Sequence, residues 1–528
     1  MGKICEGFLA HHPTDFFING FGCHQTQQQP PTKQRISLAV TTEQSSVPTR
    51  LINLDENEVA YRAEGNANIV LSLPRMQKVL RIRKSLINVP EYDNDDSSID
   101  HSASYEELIH SIEYTKYMSS LIGYSFTCQP KFIYLKVTDL NLLNEDILEF
   151  RPVDRLAKEV RTRIATLYPD VAFLQDNLNP HKRLQKKDPF YDTYCVEIKP
   201  KQGWTFYDED PDDDLQSNPE LLFESDDVKK CRYCSFQYLK LKKSAIKKVS
   251  KYCPSDLFSG QTIRMLRAIK GLIGSPQNNL RIFRNGQLVY GDNIEKRNLN
   301  TALEELFFNY KTNDERKTVF MNLIKEVLLK DFTSDCDVRS NKEAIKLRKD
   351  RKKTKNTIHR RNCEPIKYKY LPENCALRKI LDVQLLAKRS ITKLDSKDFL
   401  DVPHDRYSYL QTLLEKSRRN CLMDNRARCC NHQYIKDCVQ HLSDFEQYML
   451  GATALDTSLM ITFCRISHED IFRMNPVARN HIIQLNGMMF VTKVTIMDLD
   501  PKSTSHYEKY IKQINDSHVA YKDFLKRF

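Results

Sequence analysis

A mixed α+β fold is predicted for this 528-residue chain. Strands concentrate in its first part, and helices dominate from Leu377 on. Three observations carry that prediction. Short early segments alternate apolar and charged residues with a period of two, as half-buried strands do. Later segments repeat apolar residues at helical spacing. The chain has only 14 glycines, and neither GxGxxG nor GxxxxGKS occurs, which argues against Rossmann and P-loop folds. The length suffices for a large core and two or more lobes.

Residues 1 to about 50 read as a disordered extension: "HQTQQQPPTKQR" is polar, Pro-containing and aperiodic. In "KVLRIRKS", from Lys78, Leu80 and Ile82 fall on one face of a strand and Arg81 and Arg83 on the other. Residues 91 to 103 are acidic and Ser-rich, a loop. "KFIYLKV" and "VAFLQD" read as strands, and Asp208 to Asp227 as an acidic surface loop. "TIRMLRAIKGLI", from Thr262, has helical spacing. "LRIFRNGQLVYG", Leu280 to Gly291, is a hairpin: Asn285-Gly286 tolerates the positive φ of a tight primed turn. Residues 334 to 375 form a low-order insertion, and "MFVTKVTIMDLD" a last strand ending at Asp500.

The net charge of +12 implies an anionic partner. Most of it sits in KLRKDRKKTKNTIHRR, Lys346 to Arg361, with nine basic residues and one Asp; without that run the rest carries +4. The run reads as disordered: a nuclear-import signal, a nucleic-acid contact or a solvated loop. No apolar run is long enough to span a membrane, so no membrane partner is expected. The N-terminus lacks a signal pattern, and Glu6 breaks the myristoylation pattern that Met-Gly would open. An intracellular protein is expected, with its 15 cysteines mostly as thiols.

Several stretches could carry chemistry. In "YCVEIKPKQGW", Tyr194 to Trp204, strand alternation puts Glu197, Lys199 and Lys201 on one face and Val196 and Ile198 on the other. The charged face is either solvated or a site for an anion. "YRAEGNANIVL" places Gly65 ahead of a β-prone run, where backbone N–H groups can cradle phosphate oxygens; an ordinary hairpin turn has the same signature. Arg81 on the next strand could add a phosphate contact. "IMDLDPKS" puts Asp498 and Asp500 on one face at a strand end, suited to Mg²⁺ or to a plain Asp-Pro turn. Asp456 is a single acid inside the apolar "GATALDTSLMITF", either a base for a hydroxyl or a cap. Cys231 and Cys234 have C-x2-C spacing, with Cys253 nearby; an inert pair or part of a zinc site fits. Cys421, Cys429, Cys430, His432, Cys438 and His441, with His404 upstream, offer zinc ligands at spacings that match no tight finger.

These segments and others, in order, carry a resemblance: "YRAEGNANIVL", "VLRIRK", "VEIKPKQG", "CRYCSFQYLK", "YCPSDLFSG", "PQNNLRIFRNGQLVYG", "ATALDTSLMI" and "IMDLDPK". Together they closely resemble the inositol-pentakisphosphate 2-kinases, whose signature is the E-x-K-P-K box. The resemblance covers roughly residues 57 to 290 and 445 to 515. It implies a two-lobed, distantly protein-kinase-like fold. The N-lobe, 51–180, would bind nucleotide; the larger C-lobe, 181–528, would carry the inositol-phosphate-binding subdomain and the catalytic residues. It implies transfer of the γ-phosphate of ATP to the 2-hydroxyl of inositol 1,3,4,5,6-pentakisphosphate, giving the hexakisphosphate. ATP and Mg²⁺ are the implied cofactors, the small-molecule substrates the implied partners, with a monomer in nucleus and cytoplasm.

Residue by residue, Gly65, Asn66, Ala67 and Asn68 match the phosphate-cradling loop, although Asn66 stands where Gly is frequent. Arg81 matches a nucleotide-phosphate arginine, and Gln175 to Asn177 the adenine linker. Glu197 and Lys199 match the nucleotide side of the signature box, with Lys199 near the transferred phosphate. Arg155, Lys201, Lys240, Asn278, Asn279 and Lys502 match substrate ligands. Asp456 matches the acid at the acceptor hydroxyl, and Asp498 the Mg²⁺ carboxylate. Plant members hold a structural zinc; here His404, Cys421, Cys429 and Cys430 fall at a similar place with different spacing. A protein kinase is disfavoured by the lack of H-R-D and D-F-G motifs. The alternative is a non-catalytic nuclear scaffold or nucleic-acid binder acting through residues 346–361.

Overall fold

The computed structural model describes residues 50–87, 98–179, 189–208, 230–292, 296–332, 370–391, 393–394, 408–420 and 432–527. All belong to one compact unit, Thr49–Phe528. The expected N-terminal extension, most of the basic insertion including 346–361, most of the acidic loop, and His404, Cys421, Cys429 and Cys430 lie outside the described residues.

Two sheets organise the unit. The first draws only on the early chain: β1 (Arg50–Asn53), β2 (Ala60–Glu64), β3 (Asn68–Leu73), β4 (Lys78–Leu86), β5 (Lys131–Lys136), β6 (Lys158–Val160) and β7 (Ile164–Pro169). Its order is β1-β5-β7-β4-β3-β2, with β6 paired to the end of β4. The second holds β8 (Thr193–Ile198), β9 (Leu280–Arg284), β10 (Gln287–Tyr290), β11 (Ser458–Ile466), β12 (Ile482–Leu485) and β13 (Met488–Met497), in the order β10-β9-β8-β11-β13-β12. Both sheets sit among helices, so the mixed α+β class holds.

Side-chain alternation sets what each sheet buries. On β4, Leu80 and Ile82 are fully buried and join Ile69, Leu71, Ile133 and Leu167 in a core beneath the first sheet. On β8, Tyr194, Val196 and Ile198 enter a much larger core, while Cys195 and Glu197 face the other way. β8 is central, between β9 and β11, so both its faces are covered and every one of its residues but Glu197 is buried. The β9–β10 hairpin forms as expected, with φ of 47° at Asn285 and 79° at Gly286.

Two expectations are corrected. Residues 98–103 are not loop: a helix runs Ser98–Ile122, and its Tyr114, Tyr117, Met118 and Leu121 join the larger core. Burial of those apolar residues pulls the preceding polar turns into the helix. "VAFLQD" is not a strand either. The strand is Ile164–Pro169, and Asp170 then turns the chain, accepting from Ala172 N at 3.0 Å while Phe173 N donates to its carbonyl. Ala172 and Leu174 are buried without pairing, so the apolar signal reported burial rather than a strand.

Helix Asp444–Ala454 packs on helix Ala376–Ile391 with almost no gap. A Cβ on Gly451 would lie 2.3 Å from Ala387 N, a backbone atom that no rotamer change can move. We expect Gly451→Ala to destabilise the fold by about 1–3 kcal/mol through overpacking. An unchanged urea midpoint would refute that close approach.

Candidate active site

The site forms where β8, β11 and β13 end side by side. β8 stops at Ile198. Lys199 N still donates to Asn279 O at 3.0 Å, after which the chain leaves the sheet through Pro200. Lys201 has φ of 61°, and Asp498, just past β13, has φ of 65°. Neither is glycine, so each holds a backbone conformation that the surroundings must enforce. Regular strand alternation therefore covers Glu197 and Lys199 but not Lys201, whose left-handed backbone aims it separately.

Each lysine reaches its own carboxylate. Lys199 Nζ lies 3.7 Å from Asp498 Oδ2. Lys201 Nζ donates to Asp456 Oδ1 at 2.9 Å, and Lys502 Nζ to Oδ2 at 3.1 Å. Asp456 follows helix Asp444–Ala454, a helix started by the Ser443/Glu446 capping box, and precedes β11. The sequence left Asp456 open between cap and functional acid; its side chain takes two ammonium groups. Ser458 Oγ donates to Asp498 Oδ2 at 2.7 Å and lies 3.4 Å from Glu197 Oε1, joining two of the predicted strand-end groups. Glu197 also faces Arg281 at 3.5 Å.

Charge sets the protonation states. Burial works against the negative charge of Asp456, but Lys502 and Lys201 outweigh it and hold the carboxyl well below the usual range. Burial likewise opposes ionisation of Asp498, and Lys199, Arg81 and the Ser458 hydroxyl reverse the balance. Lys240, on helix Arg232–Lys242, has its pKa lowered by burial and by the charge of Lys201. Two ammonium groups thus face one space with Lys502 close by, an arrangement that favours an anion between them. Of the Asn pair, Asn278 is exposed. Asn279 is buried, and its Nδ2 donates to Tyr233 Oη at 2.9 Å.

The nucleotide-side residues lie along the first sheet. Gly65–Ala67 turn β2 into β3, and Gly65 N is spent on Asn68 O at 2.9 Å. Lys84 N donates to Ala67 O, and Lys158 Nζ reaches Asn66 O at 3.4 Å. Beneath the turn, the fully buried Glu64 carboxylate is held by Lys84 and by Arg151, whose Nε and Nη2 donate at 2.9 and 3.0 Å. Arg81 crosses from β4 to ion-pair with Asp500. Gln175, Asp176 and Asn177 line a cavity of about 660 Å³ with Tyr168, Gln129, Thr462 and Thr495, drawn from both sheets. Arg155 stands apart from the lysine group: its guanidinium pairs with Asp154 at 3.3 Å, beside Arg151.

Sequence reasoning missed two features. Gln384 is fully buried on helix Ala376–Ile391, accepts from Gly203 N at 2.8 Å, and donates to Lys201 O at 3.0 Å and Ala454 O at 2.9 Å. One polar residue in an apolar stripe was the available signal. Cys253 was set aside beside the C-x2-C pair, yet the three sulfurs meet.

His506, in the helix His506–Leu525, binds Tyr448 Oη through Nδ1 at 2.9 Å. Burial, then Lys502 and Arg232, push its pKa down to about 3, while Asp456 pulls weakly the other way. An unfolded histidine titrates near 6.5. Below that pH the unfolded chain binds a proton that the native chain does not, so stability is full above about 6.5 and falls as pH drops toward 3. His441, also lowered by burial, adds the same sign. The melting temperature should therefore fall between pH 7.5 and 5.5, and less steeply in His506→Gln. An equal slope in the variant would contradict this.

Comparison with known proteins identifies the family. The inositol-pentakisphosphate 2-kinase family model matches residues 61–515. An inositol-pentakisphosphate 2-kinase of Danio rerio is 27% identical over 480 residues, covering 86% of this chain and 90% of the relative. One from Drosophila melanogaster is 32% identical over 310 residues, covering 46% and 50%. One from Arabidopsis thaliana is 24% identical over 479 residues, covering 87% and 92%. The match takes in every strand-end residue of the site, from Glu197 to Lys502, and the chain belongs to the inositol-pentakisphosphate 2-kinase family.

Proposed function

We propose that this chain transfers the γ-phosphate of ATP to the 2-hydroxyl of inositol 1,3,4,5,6-pentakisphosphate. The observation that carries the proposal is the double pairing of Lys201 and Lys502 on Asp456 beside the Lys199–Asp498 pair. The acceptor carries about −8 to −10 at neutral pH, at roughly −1.5 to −2 per phosphate. Lys201, Lys240 and Lys502 supply cations where that charge would sit. Arg81, the Gly65–Asn68 turn and the cavity by Gln175–Asn177 suit the nucleotide, which assigns the first sheet to ATP and the second to the inositol phosphate.

Phosphoryl transfer needs alignment and charge neutralisation more than covalent help from the protein. In the free site Asp456 is a weak proton acceptor, because two ammonium groups stabilise its ionised form. Acceptor phosphates compete for the same ammonium groups. As Lys201 and Lys502 turn to them, Asp456 loses its counter-charges, its basicity rises, and it can take the hydrogen bond and then the proton of the acceptor hydroxyl. Lys199 holds the moving phosphoryl group. Asp498, ionised and fixed by Ser458, with Glu197 and Asp500 near, offers the hard carboxylate oxygens that Mg²⁺ takes. When bound, that ion neutralises phosphate charge and polarises the transferring group. Nothing observed favours the scaffold or nucleic-acid alternative, whose basic run lies outside the described residues.

Purified protein with Mg-ATP and inositol 1,3,4,5,6-pentakisphosphate should give the hexakisphosphate. Asp456→Asn should lower kcat by roughly 10²–10⁴-fold, as loss of a general base does. Lys240→Ala removes a charge-assisted bond worth roughly 1.5–3 kcal/mol, so KM for the acceptor should rise about 10- to 150-fold with a smaller change in kcat. No product from well-folded wild-type protein would overturn the proposal.

A further inference from the structure

From Arg232 to Ser255 the chain carries seven basic residues and no acid. Six of them are lysines in LKLKKSAIKKVSK, Leu239 to Lys251: Lys240, Lys242, Lys243, Lys247, Lys248 and Lys251. Lys240 is half-buried and feels the charge of Lys201; the other five are exposed. Lys242 pairs with Asp523 at 2.8 Å. Among the described residues no carboxylate pairs with Lys243, Lys247, Lys248 or Lys251.

Two of these lysines have a local reason for their place. Lys240 and Lys242 lie in the last turn of helix Arg232–Lys242, where cations offset the negative end of the helix dipole. That reason lapses beyond the C-cap, Lys243. The chain then folds back at Ser244, with φ of 55°, and Ala245 N donates to Lys240 O at 2.9 Å. Ile246 and Val249 are half-buried and seat the loop, which leaves Lys247, Lys248 and Lys251 in solvent. The far end is fixed to the site. Ser250 N donates to Gln237 Oε1 at 3.1 Å, and Tyr252 Oη donates to Pro200 O at 2.6 Å, between Lys199 and Lys201. The loop therefore starts at one site lysine, Lys240, and ends against the segment that carries two others.

We propose that the loop from Lys243 to Lys251 is an outer landing surface for the polyphosphorylated acceptor, which it captures and passes inward to Lys240, Lys201 and Lys502. The proposal rests on the kinase reading of the site and deepens it. Exposed lysines of one sign raise the local concentration of an oppositely charged ligand and its association rate, by roughly 10- to 10³-fold for a whole cleft. The acceptor, at about −8 to −10, is the ligand on which such a field acts most strongly.

The residue type fits transit better than fixed binding. Between Leu239 and Lys251 every cation is lysine and none is arginine. An ammonium on a flexible stem is a point charge that holds a phosphate in many orientations, whereas a guanidinium fork fixes one. Lys240 then marks the passage from landing surface to site: it is the half-buried end of an otherwise exposed series. ATP carries three phosphates against five and is assigned above to the first sheet, so the loop acts on the acceptor alone.

The test is a full-length variant with Lys247→Gln, Lys248→Gln and Lys251→Gln, which spares Lys240 and the C-cap Lys243. A charge-matched control replaces the exposed Lys116, Lys136 and Lys311, on other elements, with Gln. Both should melt with the wild type. At 20 mM salt the loop variant should lose about tenfold in kcat/KM for inositol 1,3,4,5,6-pentakisphosphate, with kcat and the KM for ATP within twofold of wild type. The control should lose less than twofold. The difference should vanish near 1 M salt, where the screening length falls to about 3 Å. Calorimetric titration of the pentakisphosphate without ATP should show the same loss in affinity. That readout needs no transfer, so wild-type protein that binds the acceptor without phosphorylating it would end the kinase reading and leave the landing surface standing. Equal kcat/KM and equal affinity in loop variant and wild type would overturn the proposal. So would a loss confined to kcat, which would put the loop in the reacting complex. Loss of binding to single-stranded RNA or to anionic vesicles, with acceptor capture unchanged, would overturn it in favour of a macromolecular partner.

Discussion

The buried amide of Gln384 is the interaction on which the site most depends. It links two backbone segments that are far apart in sequence, Lys201–Gly203 and the helix end at Ala454. Its oxygen and nitrogen are both used, and it has no exposure to solvent. Removing such a partner leaves buried backbone groups unsatisfied, at about 1–3 kcal/mol each. The consequence for geometry exceeds the energy. Gln384 ties the chain that carries Lys201 in a left-handed conformation to the helix end that presents Asp456. The 2.9 Å Lys201–Asp456 contact is therefore set by the core. The close Gly451–Ala387 approach brings Gln384's helix near enough for that reach.

Held in that frame, the site stores positive charge at short range. Lys201, Lys240 and Lys502 would repel one another if left alone; burial and then the charge of Lys201 lower the pKa of Lys240. Asp456 balances two of them in the free protein. A highly phosphorylated ligand supplies far more negative charge than one carboxylate does, so it takes the lysines over. On the proposed function Asp456 would have two states: an ion-pair partner before binding, and an acceptor facing a hydroxyl after it. The second state would exist only with the phosphates in place, which would couple reactivity to a full complement of substrate phosphates. A half-exposed Asp456 side chain fits that exchange, since a deeply buried ion pair could not open to an incoming ligand without a large desolvation cost.

Much of this was legible in the sequence. The Asn285-Gly286 hairpin, the Leu80/Ile82 against Arg81/Arg83 alternation, and the helix from Thr262 follow from local periods and turn chemistry. The box residues and Asp456 were singled out because charge in an apolar run needs a reason. What escaped was pairing across long separations. Lys201 and Asp456 are 255 residues apart, and no period connects them. Gln384 sits in the apolar stripe of its helix, and only the fold shows which backbone groups, at Gly203, Lys201 and Ala454, its amide meets. "VAFLQD" was misread because period-based reasoning detects burial, and burial under a turn resembles burial in a strand. Cys253 was discounted because a ligand search along the chain expects four residues at tight spacing, while the fold brings three together from two helix starts.

The contact between the two sheets completes the logic. Arg81, from the first sheet, pairs with Asp500 and lowers the pKa of Asp498 two residues earlier. Arg62 donates to Gly286 O and stacks 4.6 Å above Phe283, anchoring the first sheet to the β9–β10 hairpin. The first sheet thus touches the second in two places, once at the Asn285-Gly286 turn and once through the carboxylates that follow β13. A nucleotide phosphate beside Arg81 would compete with Asp500 for the guanidinium, as acceptor phosphates compete with Asp456 for the lysines. On the function proposed here, both substrates enter by replacing an internal carboxylate on a cation. The free protein therefore carries stand-ins for its two ligands, and each binding event releases an acidic group close to where the transferred phosphoryl group must pass.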